Sequence, residues 1–418
     1  MFTSCTEKNT VTLMGKKKLP PHGPPAFDRG PTPHFHGRVH ILDEFSILLE
    51  RAMRTHMGTT FIIQGAPGAG KTALLHKMGG DAPKPWQVVR IDPDALWDTN
   101  WLMHALDRGG EFNISEVTGG VSLAGYVKGD VTSVPVLKNP ISVIKQWNAP
   151  LLLILDEAQT LAEGNKPEGK DRSIATNLLK HIHNGEMGRP VVLLAAGLGT
   201  TLGAFESLGL SRIGLKCDVK LGSLSSTSTR AIIQSWLTED GRSKGDTATW
   251  VEEIAQESHN WPQHIAAYVE PALRHLQAHR GHLTPTGLSK VLELGRKGCA
   301  SYYEQRVRKF DGDDVMLFAE AVFDIGIGKP FTKKMILSKF KEEYGAKKAE
   351  SLFRNFIEKG IIAQDGYTYS IPIPSMHDWL KSELLLHKER LGKPPPSPHP
   401  NKSRGKSGGD ESRFDMER

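Results

Sequence analysis

Hydrophobic positions in the first half of the chain alternate between short solid runs and helically spaced stretches. The solid runs are "TTFIIQG" (59–65), "WQVVRID" (86–92), "LLLIL" (151–155), "PVVLLAA" (190–196) and the shorter "CDVKL" (217–221). Apolar runs of this length, bounded by turn residues, predict strands buried on both faces. Between them the spacing becomes helical. Ile41, Phe45, Leu48 and Leu49 share one helical face, and "KTALLHKM" reads as a helix that stops at Gly79-Gly80. "ALWDTNWLMHAL", "PISVIKQW" and "IATNLLKHIH" complete the set. Strands alternating with helices predict an α/β fold, a parallel sheet with helices on both faces. Residues 109–138, rich in Gly and Val, follow neither period.

From about residue 225 the pattern is helical throughout: "STRAIIQSWLTE", "WVEEIAQES", "QHIAAYVEPALRHLQAH" and "GLSKVLELGRKGCASYYEQRV". From about 312 three more helical stretches lead into "IIAQDG" and "YTYSIPI". Asp365-Gly366 between two such extended pieces is a strong hairpin signal. Three helices followed by a hairpin make a winged-helix pattern. The expected division is a basic, Pro/Gly-rich disordered tail (1–34), an α/β core (35–224), a helical lid with connecting helices (225–311), a winged-helix domain (312–385) and a second disordered tail (386–418). Met14 offers a second start.

The central run "LLLILDEAQT" poses a chemical question, because it delivers Asp156 and Glu157 side by side at the tip of a buried strand. Buried charge is unfavourable unless something pairs with it or coordinates it. The partner is found in "GAPGAGKT", which fits GxxxxGK[ST] between a strand and a helix. Gly65, Gly68 and Gly70 let backbone N–H groups of the loop, which also holds Ala66, Pro67 and Ala69, turn inward around a phosphate. The helix N-terminus adds partial positive charge. Lys71 can reach the β- and γ-phosphates of ATP, and the Thr72 hydroxyl can ligate Mg²⁺. Asp156 is then expected close to the same metal, and Glu157 is expected to polarise the water that attacks the γ-phosphate.

These motifs resemble an AAA+ ATPase of the branch that contains replication-initiator (origin-recognition) and transposition-regulator ATPases. The resemblance spans roughly residues 35–380. "FHGR", ending in Arg38, resembles the box ahead of the nucleotide site; "GAPGAGKT" resembles Walker A; "LLLILDEAQ" resembles Walker B with the Gln159 extension of transposition-type members. "VVLLAAG" resembles the sensor-1 strand, although it ends in Ala196-Gly197, leaving Thr200 or Thr201 as substitutes. "SRIG" puts Arg212 in the place of the arginine finger. "NWPQHI" resembles the lid turn, but without its Gly and with Gln263-His264 where an Arg is common. The resemblance implies ATP hydrolysis, with Glu157, Lys71 and Arg212 as catalytic groups, and a homo-oligomer if Arg212 acts on a neighbour's nucleotide.

Charge adds little. The formal net charge is +6, but residues 1–34 hold five Lys/Arg against two Asp/Glu, and residues 391–418 hold six against four. The middle is nearly neutral, so a nucleic-acid argument needs local patches. One candidate patch is Lys347, Lys348, Arg354 and Lys359 on the third helix of the winged block, which would take double-stranded DNA; Glu350 and Glu358 share that helix. A nuclease or transposase is the partner class the resemblance suggests. Cys5, Cys217 and Cys299 are scattered, without zinc or disulfide spacing, as in a reducing cytosol. No apolar run approaches the roughly 18 residues of a membrane span, and no secretory signal opens the chain, so a cytoplasmic protein is expected. His181 and His183 fall on different helix faces and are poor co-ligands; a metal at His34 and His36 is not favoured. Three rivals stand beside the ATPase switch: a signalling or defence ATPase whose winged helix binds protein, a P-loop kinase, and a module that binds without hydrolysing.

Overall fold

The computed structural model describes residues 32–97, 140–147, 149–162, 172–210, 213, 217–326 and 328–392. Five strands form the main sheet: β1 (Thr59–Gly65), β2 (Gln87–Ile91), β3 (Leu151–Leu155), β4 (Val191–Gly197) and β5 (Asp218–Leu221). Their spatial order is β2-β3-β4-β1-β5, and every neighbouring pair is parallel. They coincide with the runs singled out by hydrophobic pattern. The helices of this part are α1 (Val39–Thr55), α2 (Lys71–Gly80), α3 (Pro140–Lys145), α4 (Arg172–His183) and α5 (Thr201–Ser207). Of "ALWDTNWLMHAL", only the start is described, inside a 3₁₀ turn at Pro93–Trp97; residues 98–139 lie outside the described residues.

Successive residues of each central strand enter different apolar clusters, as the pleat requires. Phe61, Ile63, Leu152, Ile154, Val192 and Leu194 pack with Phe45 and Leu49 of α1 and Leu74 and Met78 of α2. Ile62, Leu153, Leu193 and Ala195 pack with Leu178 and Ile182 of α4 and Phe205 of α5. A strand covered on both sides has no solvent face, so Leu151–Leu155 is buried at every position. Each such leucine contributes about 2 kcal/mol on burial.

Four helices follow: α6 (Ser226–Thr238), α7 (Ala248–Glu257), α8 (Pro262–Ala278) and α9 (Pro285–Val307). Their starts are chemically marked. The Ser225 side chain accepts the Ser228 N–H at 3.1 Å, Thr284 accepts the Gly287 N–H at 3.0 Å, and α8 and α9 begin with Pro262 and Pro285. Before α8 the turn lacks glycine, and His259 (φ 50) and Asn260 (φ 58) themselves take the left-handed conformation.

The C-terminal block contains α10 (Gly312–Ile325), α11 (Lys333–Glu358), the antiparallel pair β6 (Ala363–Asp365) and β7 (Thr368–Ser370), and α12 (Met376–Gly392). Gly345 (φ 74, ψ 169) breaks α11 into two helices, a conformation a side chain would strain. Phe331 pairs with Tyr369 as a further bridge. Three helices and a hairpin give the winged-helix arrangement, around Phe318, Phe340, Phe353 and Phe356. The cluster beneath α1 and α2 continues without a break through the lid helices into this block. At the junction Gly360 lies against the ring of Pro67, where a Cβ would come within 2.7 Å of Pro67 Cδ, and Lys220 of β5 pairs with Asp365 of the hairpin at 2.8 Å.

Candidate active site

The sheet order places the C-terminal ends of β1, β3 and β4 next to one another, and the site is built there. β1 runs into the loop Gly65–Gly70, which turns through Gly68 (φ 79) and Gly70 (φ 88) into α2. The loop is pinned by the Ala69 N–H donating to Ala66 O at 3.2 Å. Lys71, only 7% exposed, donates its ammonium to Gly65 O (2.9 Å) and Ala66 O (3.1 Å). Burial pushes its pKa down; Glu157 and then Asp156 oppose that shift, while Arg306 adds to it.

Thr72 and Asp156, 84 positions apart, meet directly: the Thr72 hydroxyl donates to Asp156 Oδ2 at 2.6 Å. Asp156 Oδ1 accepts the Glu157 N–H at 2.9 Å. Glu157 itself is left-handed (φ 53, ψ 35), an unusual conformation for a side-chain-bearing residue and one that clusters at functional sites. It opens the 3₁₀ turn Ala158–Leu161, tied by Thr160 donating both its N–H and its hydroxyl to Glu157 O. Gln159 reaches back, donating Nε2 to Glu157 Oε2 at 2.7 Å, while its Oε1 accepts the Leu198 N–H at 3.0 Å.

The lid closes over the loop. The Gln263 N–H donates to Gly68 O at 3.2 Å, and Tyr302 of α9 donates its hydroxyl to Pro67 O at 2.7 Å. Gly68 is hemmed in: a Cβ there would lie 2.7 Å from Gln263 Cβ and 2.9 Å from the Tyr302 oxygen. Trp261, almost fully buried, has an indole N–H with no partner among the described residues. Arg306, one turn beyond Tyr302, lies with its guanidinium 5.1 Å from the Tyr302 ring centroid.

Of the residues expected at the site, the loop 65–70, Lys71, Thr72, Asp156 and Glu157 come together. Arg38, left-handed at the start of α1, donates to the Gly222 carbonyl beyond β5. Arg212 lies outside the described residues. Thr201 is fully buried, and its hydroxyl donates to Leu198 O at 2.6 Å, which ties it to the turn after β4. His264 is fully buried between Ser258, Tyr303 and Ser375, away from solvent. Arg306 and Tyr302 escape a reading of the lid turn, because they come from the far end of another helix. Their only sequence mark is an i, i+4 spacing on one face. In the winged block, Lys347, Arg354 and Lys359 are exposed, whereas Lys348, also exposed, is engaged with Asp314 at 3.6 Å and lies over the Tyr344 ring.

The donor set at Thr72 and Asp156, a hydroxyl and a carboxylate, consists of hard oxygens of the kind Mg²⁺ takes, so the residues fit that ion. No group of three or more His, Cys, Asp or Glu that could hold a metal on its own occurs among the described residues.

Parallel sheet, Gly65–Gly70 loop, helical lid and winged block together make up one recognisable fold. Solved structures share it at low identity. The Walker-type ATPase PABY2304 of Pyrococcus abyssi superposes with a TM-score of 0.52 at 14% identity, over 83% of this chain and 96% of its own. The Aeropyrum pernix ORC2 protein in its ADPNP-ADP complexes gives 0.52 at 13% identity, over 86% and 96%. Its ADP form gives 0.53 at 14%, over 85% and 96%. No protein-family model matches this chain, and no curated protein matches it.

Proposed function

We propose that the chain is an ATP-binding, ATP-hydrolysing AAA+ switch. The observation that carries this proposal is the Thr72–Asp156 hydrogen bond of 2.6 Å beside the buried Lys71, which joins the two halves of a magnesium–triphosphate site. Thr72 and Asp156 would hold Mg²⁺, which when bound neutralises charge on the β- and γ-phosphates. The backbone of residues 65–70 and the Lys71 ammonium would cradle the phosphates. Glu157 would orient water in line with the γ-phosphorus and take its proton. The new P–O bond forms as the bond to the bridging oxygen breaks, and ADP leaves with the electron pair. Arg306 supports coupling of the lid to the nucleotide, since it brings positive charge near Lys71 from α9. Arg212 remains our candidate for a finger supplied between subunits, and Arg38 for a residue at the nucleotide's edge.

The experiment is turnover of Mg·ATP by the parent and by Glu157→Gln, with Mg·ATP affinity measured for both. We expect Glu157→Gln to bind with parental affinity and to lose a hundredfold or more of turnover, on the order of the usual general-base contribution. Equal rates remove Glu157 from the mechanism. Turnover with no acceptor added argues against a kinase. A protein that binds but never turns over is the binding module.

For the output we favour double-stranded DNA, through Lys347, Arg354 and Lys359 of the winged block, and an oligomer assembled in the ATP state. We keep the domain division 35–224, 225–311 and 312–385 with one correction: α12 (Met376–Gly392) runs past 385, so residues 386–392 are helical, not part of a disordered tail, because the helix carries on through Leu384 packed against the block's core. A nuclease or transposase partner, or a signalling partner bound by the winged helix, stays secondary. No helix among the described residues is long and apolar enough to cross a membrane.

A further inference from the structure

Gln159 stands between two groups that the ATPase reaction uses or needs nearby. Its Nε2 donates to Glu157 Oε2 at 2.7 Å and its Oε1 accepts the Leu198 N–H at 3.0 Å. Only one orientation of the amide satisfies both partners. A carboxylate accepts and cannot donate, and a backbone N–H donates and cannot accept. The amide is therefore locked, its direction fixed by partners on two different strand ends.

The space around it is equally restrictive. A Cβ built on Gly197, the last residue of β4, would lie 2.3 Å from Gln159 Oε1, 2.3 Å from Thr201 Oγ1 and 3.1 Å from Gln159 N. Gly197 is thus bare because the Gln159 carbonyl and the Thr201 hydroxyl occupy that volume. Thr201 closes the other side, its hydroxyl donating to Leu198 O. The glutamate that Gln159 holds is itself in a left-handed conformation, so its backbone does not set the side chain's direction by ordinary preference. The bond engages one of the two carboxylate oxygens, Oε2.

We infer that Gln159 is a positioning residue for Glu157: it fixes the carboxylate against the end of β4, so that one oxygen is held and the other faces the attacking water. The polar side chain that this strand end lacks is replaced by an amide reaching across from β3. Movement of the turn 197–201 is thereby transmitted to Glu157 through a single side chain. This inference rests on the hydrolytic function proposed above.

The test uses the full chain with Gln159→Leu, Gln159→Asn and Gly197→Ala. Asn keeps the amide but is one methylene too short to span both partners, and it serves if Leu impairs folding. We expect kcat for Mg·ATP to fall on the order of tenfold to a hundredfold, the usual penalty for a misplaced catalytic group, with KM changed by less than about threefold. Gly197→Ala displaces the Gln159 carbonyl and should lower kcat in the same way. Independently of turnover, hydrogen exchange at the Leu198 amide should quicken in Gln159→Leu. Parental kcat in Gln159→Leu and Gln159→Asn, in an assay where Glu157→Gln is inactive, overturns the inference alone. So does unchanged Leu198 exchange. A parent that binds Mg·ATP without turnover removes the hydrolytic function and this role with it. That failure is told apart by the Leu198 exchange, which still reports the bridge.

Discussion

At the scale of single residues, the phosphate loop shows how conformation and crowding act together. Gly68 has φ 79, and any side chain there would meet Gln263 and Tyr302 of the lid. A left-handed non-glycine residue costs on the order of 1–3 kcal/mol, and the clash adds to it. Gly68→Ala should lower the melting temperature and weaken Mg·ATP binding together, as followed by thermal unfolding with and without nucleotide. Lys71→Met should remove the heat of Mg·ATP binding while leaving the fold intact, since the ammonium's partners in the structure are two loop carbonyls. Loop and acid pair were both legible from residue order, because GxxxxGK[ST] and a strand-end Asp-Glu are local patterns. Arg306, Tyr302 and the bridging part of Gln159 were not, since each acquires its meaning from a neighbour that sequence distance conceals.

At the scale of elements, the lid meets the winged block through a buried polar cluster. His264 on α8 is fully buried, with Tyr303 of α9 at 2.9 Å from Nε2 and Ser375 at 3.3 Å from Nδ1, which also faces Ser258 O. Burial lowers its pKa from 6.5 to about 4; the Ser258 carbonyl opposes that shift, and His259 adds to it. The unfolded chain therefore binds the proton first as pH falls. Stability is complete above pH 6.5 and is lost as pH drops toward 4, by about 3 kcal/mol at most. Denaturant melts of the parent and His264→Gln across pH 4 to 7 should show a flatter slope in the variant, whatever its absolute stability. α8 and α9 also cross tightly: a Cβ on Gly295 would come within 2.0 Å of the Tyr268 ring. Gly295→Ala should destabilise by about 1–3 kcal/mol through overpacking, read from the same melts.

At the scale of the whole molecule, one apolar cluster joins the sheet's α1/α2 face, the lid and the winged block, and Gly360 sets that block against Pro67 of the phosphate loop. The Gly65–Gly70 loop and the winged block are therefore neighbours, so occupancy of the proposed site and the posture of the block should be linked. Duplex DNA binding should weaken steeply with salt, and Lys347→Ala/Arg354→Ala should reduce the salt slope by about 0.9 for each phosphate those side chains neutralise. Binding absent even at low salt would redirect the block to a protein partner. Sizing by light scattering with a slowly hydrolysed ATP analogue should show a larger species than without it.

Hydrophobic period and glycine placement fixed, from sequence alone, the five strands, the helical second half, the hairpin at Asp365-Gly366 and the residues at the phosphate loop. These depend on interactions within a few positions or on a strand's need to be buried on both faces. Which strand lies beside which, that Thr72 touches Asp156, that Arg306 at the end of α9 stacks on Tyr302 beside the loop, and that Gln159 spans from β3 to β4 were decided only by tertiary structure. The physical reason is range. A hydrogen bond is formed within 3.5 Å in space, and no local periodicity encodes which of several hundred residues will be there.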